Sequence, residues 1–208
     1  KTWSVAMANL DLSPFTHLSG KDNNLIELRD STLVVAVQLW GGQDESGGKA
    51  AEGEPGGVAH TLRSTDGGAT WTQRASICGL VGKSRLLSLQ SGKLLACVQS
   101  IKAGSYNPFY IAESMDGGIT WTNPRETIAD LQPTTASLTQ LADERIVLQF
   151  VYDAQPGKNP NSSSYYGVGM RVVVSNDEGR TWQDQVHVLS RIWAAGKEPT
   201  GYGAYLGD

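Results

Sequence analysis

Ser64-Thr-Asp-Gly-Gly-Ala-Thr-Trp71 returns as Ser114-Met-Asp-Gly-Gly-Ile-Thr-Trp121, and again as Ser175-Asn-Asp-Glu-Gly-Arg-Thr-Trp182. Each copy fits S-x-D-x-G-x-T-W, with five of the eight positions fixed. An octapeptide shared in this way marks an internal repeat, one supersecondary unit stacked several times. Lys1-Thr2-Trp3 matches the closing letters of a further copy. The Trp-to-Trp intervals are then 68 (3→71), 50 (71→121) and 61 (121→182) residues.

A second pattern precedes each box: Leu25–Ala36, Leu86–Ala96 and Ala136–Leu148. Each reads as a strand, a tight turn and a second strand rich in Leu and Val. A loop follows, then a third strand at 58–63, 109–113 or 170–174. The box is the next turn, and a fourth strand leaves from its Trp. Four antiparallel strands in a repeat of roughly 40–50 residues make a propeller blade. The expected fold is therefore an all-β propeller of four-stranded antiparallel blades, with residues 1–208 forming part of a single domain. Its blades are expected over about 21–73, 84–123 and 134–184, with partial blades at 1–20 and 185–208. A propeller closes on itself to remove its sheet edges. These three and a half blades are thus expected to belong to a longer protein, roughly twice this length, or to pair with a second chain.

The box residues have physical work in a turn. Ser and Asp oxygens accept hydrogen bonds from loop N–H groups, and a glycine supplies positive φ. The Trp packs under its hairpin or against the next blade. Ser64, Asp66, Gly68 and Trp71, Ser114, Asp116, Gly118 and Trp121, and Ser175, Asp177, Gly179 and Trp182 therefore read as structural. The three aspartates read as turn-formers rather than catalytic groups.

Up-and-down topology assigns the faces. The box turns share one face with the short turns Arg29-Asp-Ser31, Gln90-Ser-Gly92 and Ala142-Asp-Glu144. The opposite face receives the longer loops, about 40–57, 100–108 and 153–167, and the links 4–22, 74–85, 125–135 and 190–200. Long loops on a rigid scaffold carry function. Residues placed on that face are Lys21, Asp22, Trp40, Asp44, Glu45, Glu52, Glu54, His60, Lys83, Arg85, Tyr106, Asn107, Asp153, Tyr165, Tyr166 and Arg171. Aromatics, carboxylates and cations together suit a sugar, although a solvated polar rim is the simpler explanation for any one of them.

Composition narrows the partners. The net charge is −4 with pI about 5.4, and no basic stripe is present, so a nucleic-acid partner is not expected. No apolar run reaches membrane-spanning length. Cys78 and Cys97 read as two buried free thiols, with a disulfide left open. Nothing has the ligand spacing of a metal site, and no cofactor is expected.

The boxes with their upstream strand pattern, seen in Ser84–Ala96 and Gly169–Trp182, resemble the Asp-box (BNR-repeat) members of the sialidase (neuraminidase) superfamily over nearly the whole chain. That resemblance implies a six-bladed propeller which removes terminal sialic acid or a related sugar from glycans. It also implies a secreted, periplasmic or extracellular setting. Such enzymes hold the substrate carboxylate with three arginines, use a loop Asp as acid/base and a Tyr assisted by a Glu as nucleophile. Carried over, Arg171 matches an arginine before a box strand, and Asp44 the loop acid/base, with Glu54 second. Arg85, Lys21, Trp40, Tyr106 and Tyr166 are the remaining substrate-binding candidates. The family's Arg-Ile-Pro is absent and Lys21 stands in its place. Leu39-Trp40 occupies the position of a second arginine, and the nucleophilic Tyr belongs to a late blade. These departures leave two other readings: a non-catalytic Asp-box propeller that binds glycans or proteins, and another exo-glycosidase, such as an exo-arabinanase, on the same fold.

Overall fold

A computed structural model describes residues 8–10, 12–19, 24–41, 57–71, 73–100, 108–122, 124–128, 132–153 and 168–189. Every regular element among them is a β-strand. The first blade holds β2 (His17–Ser19) and β3 (Leu25–Glu27), both antiparallel to β4 (Leu33–Trp40). β4 pairs with β5 (Val58–Ser64), and β5 with the first half of β7 (Gln73–Ser88). The second blade runs from the other half of β7 through β8 (Leu94–Ser100) and β9 (Phe109–Ser114) to β10 (Arg125–Ile128). The third is β11 (Gln132–Gln140), β12 (Ile146–Asp153), β13 (Val168–Ser175) and β14 (Gln183–Leu189) in order. Two short strands, β1 (Asn9–Leu10) and β6 (Thr70–Trp71), pair in parallel beside the first box. Sheets of four antiparallel strands packed face to face are the blades of a β-propeller.

Three links differ from expectation, and one of them, 125–135, holds β10 (Arg125–Ile128) and the start of β11 (Gln132–Gln140). Residues 74–85 are strand rather than loop, because β7 is outer strand of one blade and inner strand of the next. The change of sheet occurs where the register shifts between Val58 and His60, with positive φ at Cys78, Gly79 and Gly82. A bulge of this kind turns a strand without breaking it. The link expected over 4–22 likewise contains β2, which pairs with the end of β4.

The three hairpin turns are one structure used three times. Leu28–Thr32, Leu89–Lys93 and Leu141–Arg145 each close with matching backbone bonds. Each places its fourth residue in the left-handed region: Ser31, Gly92 and Glu144. They share a rim with the boxes, because Leu33, Leu94 and Ile146, each just after a turn, pair with the box serines Ser64, Ser114 and Ser175.

The core lies between blades. Val34, Ala36, Ala59 and Ile77 of the first blade meet Leu86, Ala96, Val98 and Ala112 of the second. Leu89, Leu95, Cys97, Phe109 and Ile111 on the second blade's other face meet Ile146, Leu148, Phe150 and Val173 of the third. Strand β8 opens Leu94-Leu-Ala-Cys-Val98 with no polar residue, because a sheet between two others is buried on both faces. The remaining face of the first blade packs Val37, Leu39 and Leu62 against Phe15, with Leu10 and Leu12 beside them. Cys78 and Cys97 are both free, but only Cys97 is buried; Cys78 is half-buried. Burial pushes the Cys97 thiol up to about 12, the nearby Arg85 cation opposing it only in part.

The box tryptophans pack over their own glycines and against the preceding blade, not the next one. A Cβ built on Gly118 or Gly179 would lie 3.6 Å from its Trp Cζ2, while Trp121 joins the first interface and Trp182 the second. Trp121 Nε1 donates to Thr61 Oγ1 (3.3 Å), and that hydroxyl donates to Gly118 O (3.0 Å). The matching residue of the second blade is Ile111, which has no acceptor, and the buried Trp182 Nε1 has no partner. Thr61→Val should therefore cost about 1–2 kcal/mol by leaving Trp121 in the same state. Urea denaturation at constant m-value checks this; an unchanged midpoint would show that the bridge contributes nothing.

Candidate functional site

The boxes themselves are closed turns. In each, the Ser Oγ donates to an Asp Oδ1 (2.7, 2.8 and 2.7 Å) and accepts from the box Gly N–H (2.8 Å in all three). The following Thr donates its N–H to Oδ1 (2.9, 2.9 and 2.8 Å) and its hydroxyl to Oδ2 (2.6 Å in each). Both carboxylate oxygens are thus occupied by the turn. Thr70 hydrogen bonds, then Ser64, hold Asp66 at about 2. For Asp116 and Asp177 burial opposes ionisation, but the bonds from Thr and Ser outweigh it and the pKa again falls to about 2. A carboxylate so bound has neither the free oxygen nor the basicity for proton transfer near neutrality.

The opposite rim is where the B–C connections leave the sheets, at Trp40–Gly57, Ser100–Pro108 and Asp153–Val168. Asp44, Glu54, Lys21, Tyr106 and Tyr166 lie outside the described residues, as do Asp22, Glu45, Glu52, Asn107 and Tyr165. Trp40 closes β4 opposite His17, and its carbonyl accepts from Thr16 N (2.9 Å). Its ring lies against Gly57, where a Cβ would come within 2.8 Å of Trp40 Cδ2 and 2.9 Å of the Leu39 backbone. That contact admits only glycine. His60 is buried, and its Nδ1 lies 3.1 Å from Val58 O. A carbonyl only accepts, so Nδ1 carries the proton. The ring meets Phe15 edge-on at 5.1 Å, and the Arg74 guanidinium stands 4.9 Å from the same Phe15.

Two of the sequence candidates come to one interface. Arg85, on β7, donates from Nε to Ala136 O of the third blade (3.1 Å). Its NH1 is buried and has no hydrogen-bond partner. Ala136 pairs with Phe150, and Phe150 with Arg171. Residues paired in this way share a sheet face. Arg171 therefore stands on the side of the third blade that packs against the second, in the row of Phe150. Arg85 stands on the matching side of the second blade, in the row of Cys97 and Ile111. The two arginines approach the interface from opposite sheets, Arg85 from an inner strand and Arg171 from a third strand.

Sequence reasoning missed the ionic group at the box rim of this interface. Lys93 Nζ lies 2.6 Å from Glu178 Oε2 and 3.6 Å from Glu113 Oε2. Arg125 NH2 pairs with Glu113 Oε1. One signal was available: the third box reads Asp-Glu-Gly where the others read Asp-Gly-Gly. Among the described residues no group of His, Cys, Asp and Glu could hold a metal ion, and no helix is long and apolar enough to cross a membrane.

The model of the BNR repeat-like domain matches residues 1–192. This chain belongs to the BNR repeat-like domain family. A comparison with curated proteins gives no match. Among solved structures, the BNR chain is similar to the alpha-L-arabinanase of Penicillium chrysogenum complexed with arabinobiose (17% identity, 88% of this chain and 50% of that one, TM-score 0.55). It is similar to the Hadza microbial sialidase Hz136 (13% identity, 79% and 37%, TM-score 0.52). It is also similar to the NanB sialidase of Streptococcus pneumoniae (12% identity, 83% and 40%, TM-score 0.53). At these identities the likeness is one of fold. The BNR chain spans half or less of the length of each of these three structures.

Proposed function

We propose that this chain is part of a glycoside hydrolase acting on the ends of glycans, with terminal sialic acid or a related acidic sugar as substrate. The observation that carries the reading is the buried Arg85 NH1 without an acceptor, at the interface that Arg171 faces from the other sheet. An unpaired buried guanidinium N–H is costly, and a planar carboxylate matches the guanidinium fork. In this reading Arg171 and Arg85 hold the sugar acid, with Lys21 as a further cation. Asp44 is the acid/base with Glu54 behind it, and Trp40, Tyr106 and Tyr166 pack on the sugar ring. The similar fold of two sialidases supports the assignment; that of an arabinanase supports glycosidase chemistry in general.

The test is turnover of methylumbelliferyl sialoside and arabinofuranoside by the full-length protein. Sialoside release is expected, with Arg171→Ala lowering kcat/KM on the sialoside by roughly 100-fold, as loss of a charge-assisted hydrogen-bonding group would. Arabinoside turnover unaffected by Arg171→Ala would overturn the acidic substrate in favour of a neutral-sugar enzyme. Glycan or protein binding without turnover of either substrate would make the chain a non-catalytic propeller.

A further inference from the structure

Glu178 occupies the box position that is Gly67 in the first copy and Gly117 in the second. All three take left-handed backbone, with φ of +69° at each glycine and +55° at Glu178. Glycine enters that region freely, whereas a residue with a Cβ is strained there. Strain kept at one of three equivalent positions points to a contact that needs the side chain.

The contact is with the neighbouring blade. Lys93, in the second blade's hairpin turn with a side chain 8% exposed, donates to Glu178 Oε2 at 2.6 Å. Lys93 also faces Glu113 on β9, which Arg125 of β10 engages, and Arg125 NH2 reaches Gly179 O of the third box at 3.4 Å. The second box is tied differently. There Arg63 of β5 donates to Asp116 O and Gly117 O, and a Cβ on Gly117 would come within 2.7 Å of Arg63 NH1 and 2.9 Å of Leu28 Cδ1. The second blade has Glu113 where the first has Arg63, so no donor is available from that position for the third box's carbonyls. A carboxylate on the box and a lysine from the turn take over the connection, with the polarity reversed. Removing that carboxylate would leave the buried Lys93 ammonium short of its closest counter-charge.

We propose that Glu178 and Lys93 form an acid-released latch that holds the third blade on the second. Among the described residues, the charged neighbours are Lys93 from the turn, Glu113 from β9, Arg125 from β10 and Arg180 in the same box. The Lys93 hydrogen bond, then one from Ser91, lowers the Glu178 carboxyl below its ordinary value. A group whose pKa is lowered by folding stabilises the folded state above its unfolded value and loses that contribution as pH falls through the folded one. The latch is closed at neutrality and opens as pH falls through the lowered pKa of Glu178. Its test needs no substrate and does not depend on the proposed reaction.

The experiment is thermal unfolding of the full-length protein with Glu178→Gly and Glu178→Gln at pH 7 and over a series of acid pH values that spans the titration of Glu178. At pH 7 both variants should melt about 2–4 °C lower, with faster amide exchange across β13 and β14. As pH falls through the titration of Glu178 the Gln variant should converge on the natural protein and the Gly variant should match or exceed it, because only the relief of strain remains. A Glu178→Gly protein that melts higher at pH 7, or a deficit of equal size across the whole pH series, would overturn the latch.

Discussion

Phe150→Ala should lower stability by about 3–5 kcal/mol and the Tm by roughly 10 °C. Phe150 is 1% exposed at the centre of the second interface. Its ring meets Phe109 of the second blade at 5.3 Å and 80°, an edge-to-face contact. Leu148 and Val173 lie beside it in the same cluster. Two sheets with fixed backbones cannot close over the vacated volume, so the loss combines transfer free energy with a cavity. Phe150→Leu, which keeps most of that volume, should cost less than half as much. Urea denaturation of the two variants decides the matter, and a loss under about 1 kcal/mol for alanine would mean that the blades are not held by this core.

Asp116→Ala should be the most damaging change on the box rim, at about 2–3 kcal/mol. The carboxylate accepts from Ser114 Oγ (2.8 Å), Ile119 N (3.0 Å), Thr120 N (2.9 Å) and Thr120 Oγ1 (2.6 Å). Ser114 is 1% exposed and cannot turn to water for a replacement. The same bonds make the fold acid-sensitive. Asp66, Asp116 and Asp177 each sit at about 2 in the folded chain, against an ordinary value of 3.8. Stability should be level above about pH 5 and fall as pH drops from about 4 to 2, where the unfolded chain takes up protons that the folded chain still refuses. Asp116→Asn should remove one of three similar contributions to that slope. A pH profile of the denaturation midpoint unchanged by Asn would show that the box carboxylate stays solvated.

The repeats announced their own structure because their information is local. The Ser, Asp, Gly and Thr of each box close the turn by hydrogen bonds to one another within eight residues, and the hairpin turns close within five residues. Leu-Val-rich runs between turn signals marked the strands for the same reason. The links were harder to read. Residues 74–85 look like a connection, with Gly79 and Gly82 as breakers, yet form one strand because each half finds a different partner sheet. Pairing of that kind is settled by residues far away in the chain. The candidate site was legible only as a face. Arg85 and Arg171 were each placed there singly, and no spacing in the sequence relates them.

The sequence by itself determined that this protein is built of propeller blades, where their hairpins, third strands and box turns lie, and which rim the boxes occupy, since each follows from periodicity and turn chemistry within a few tens of residues. Only the tertiary structure decided what the blades do to one another. It brought Arg85 and Arg171 to one interface from opposite sheets. It gave Trp121 an acceptor in Thr61 and denied one to Trp182, and it joined Lys93 to Glu178 across 85 residues of chain. The physical reason is that a blade's sheet has two faces, and what each face meets is fixed by packing against its neighbours rather than by the blade's own sequence.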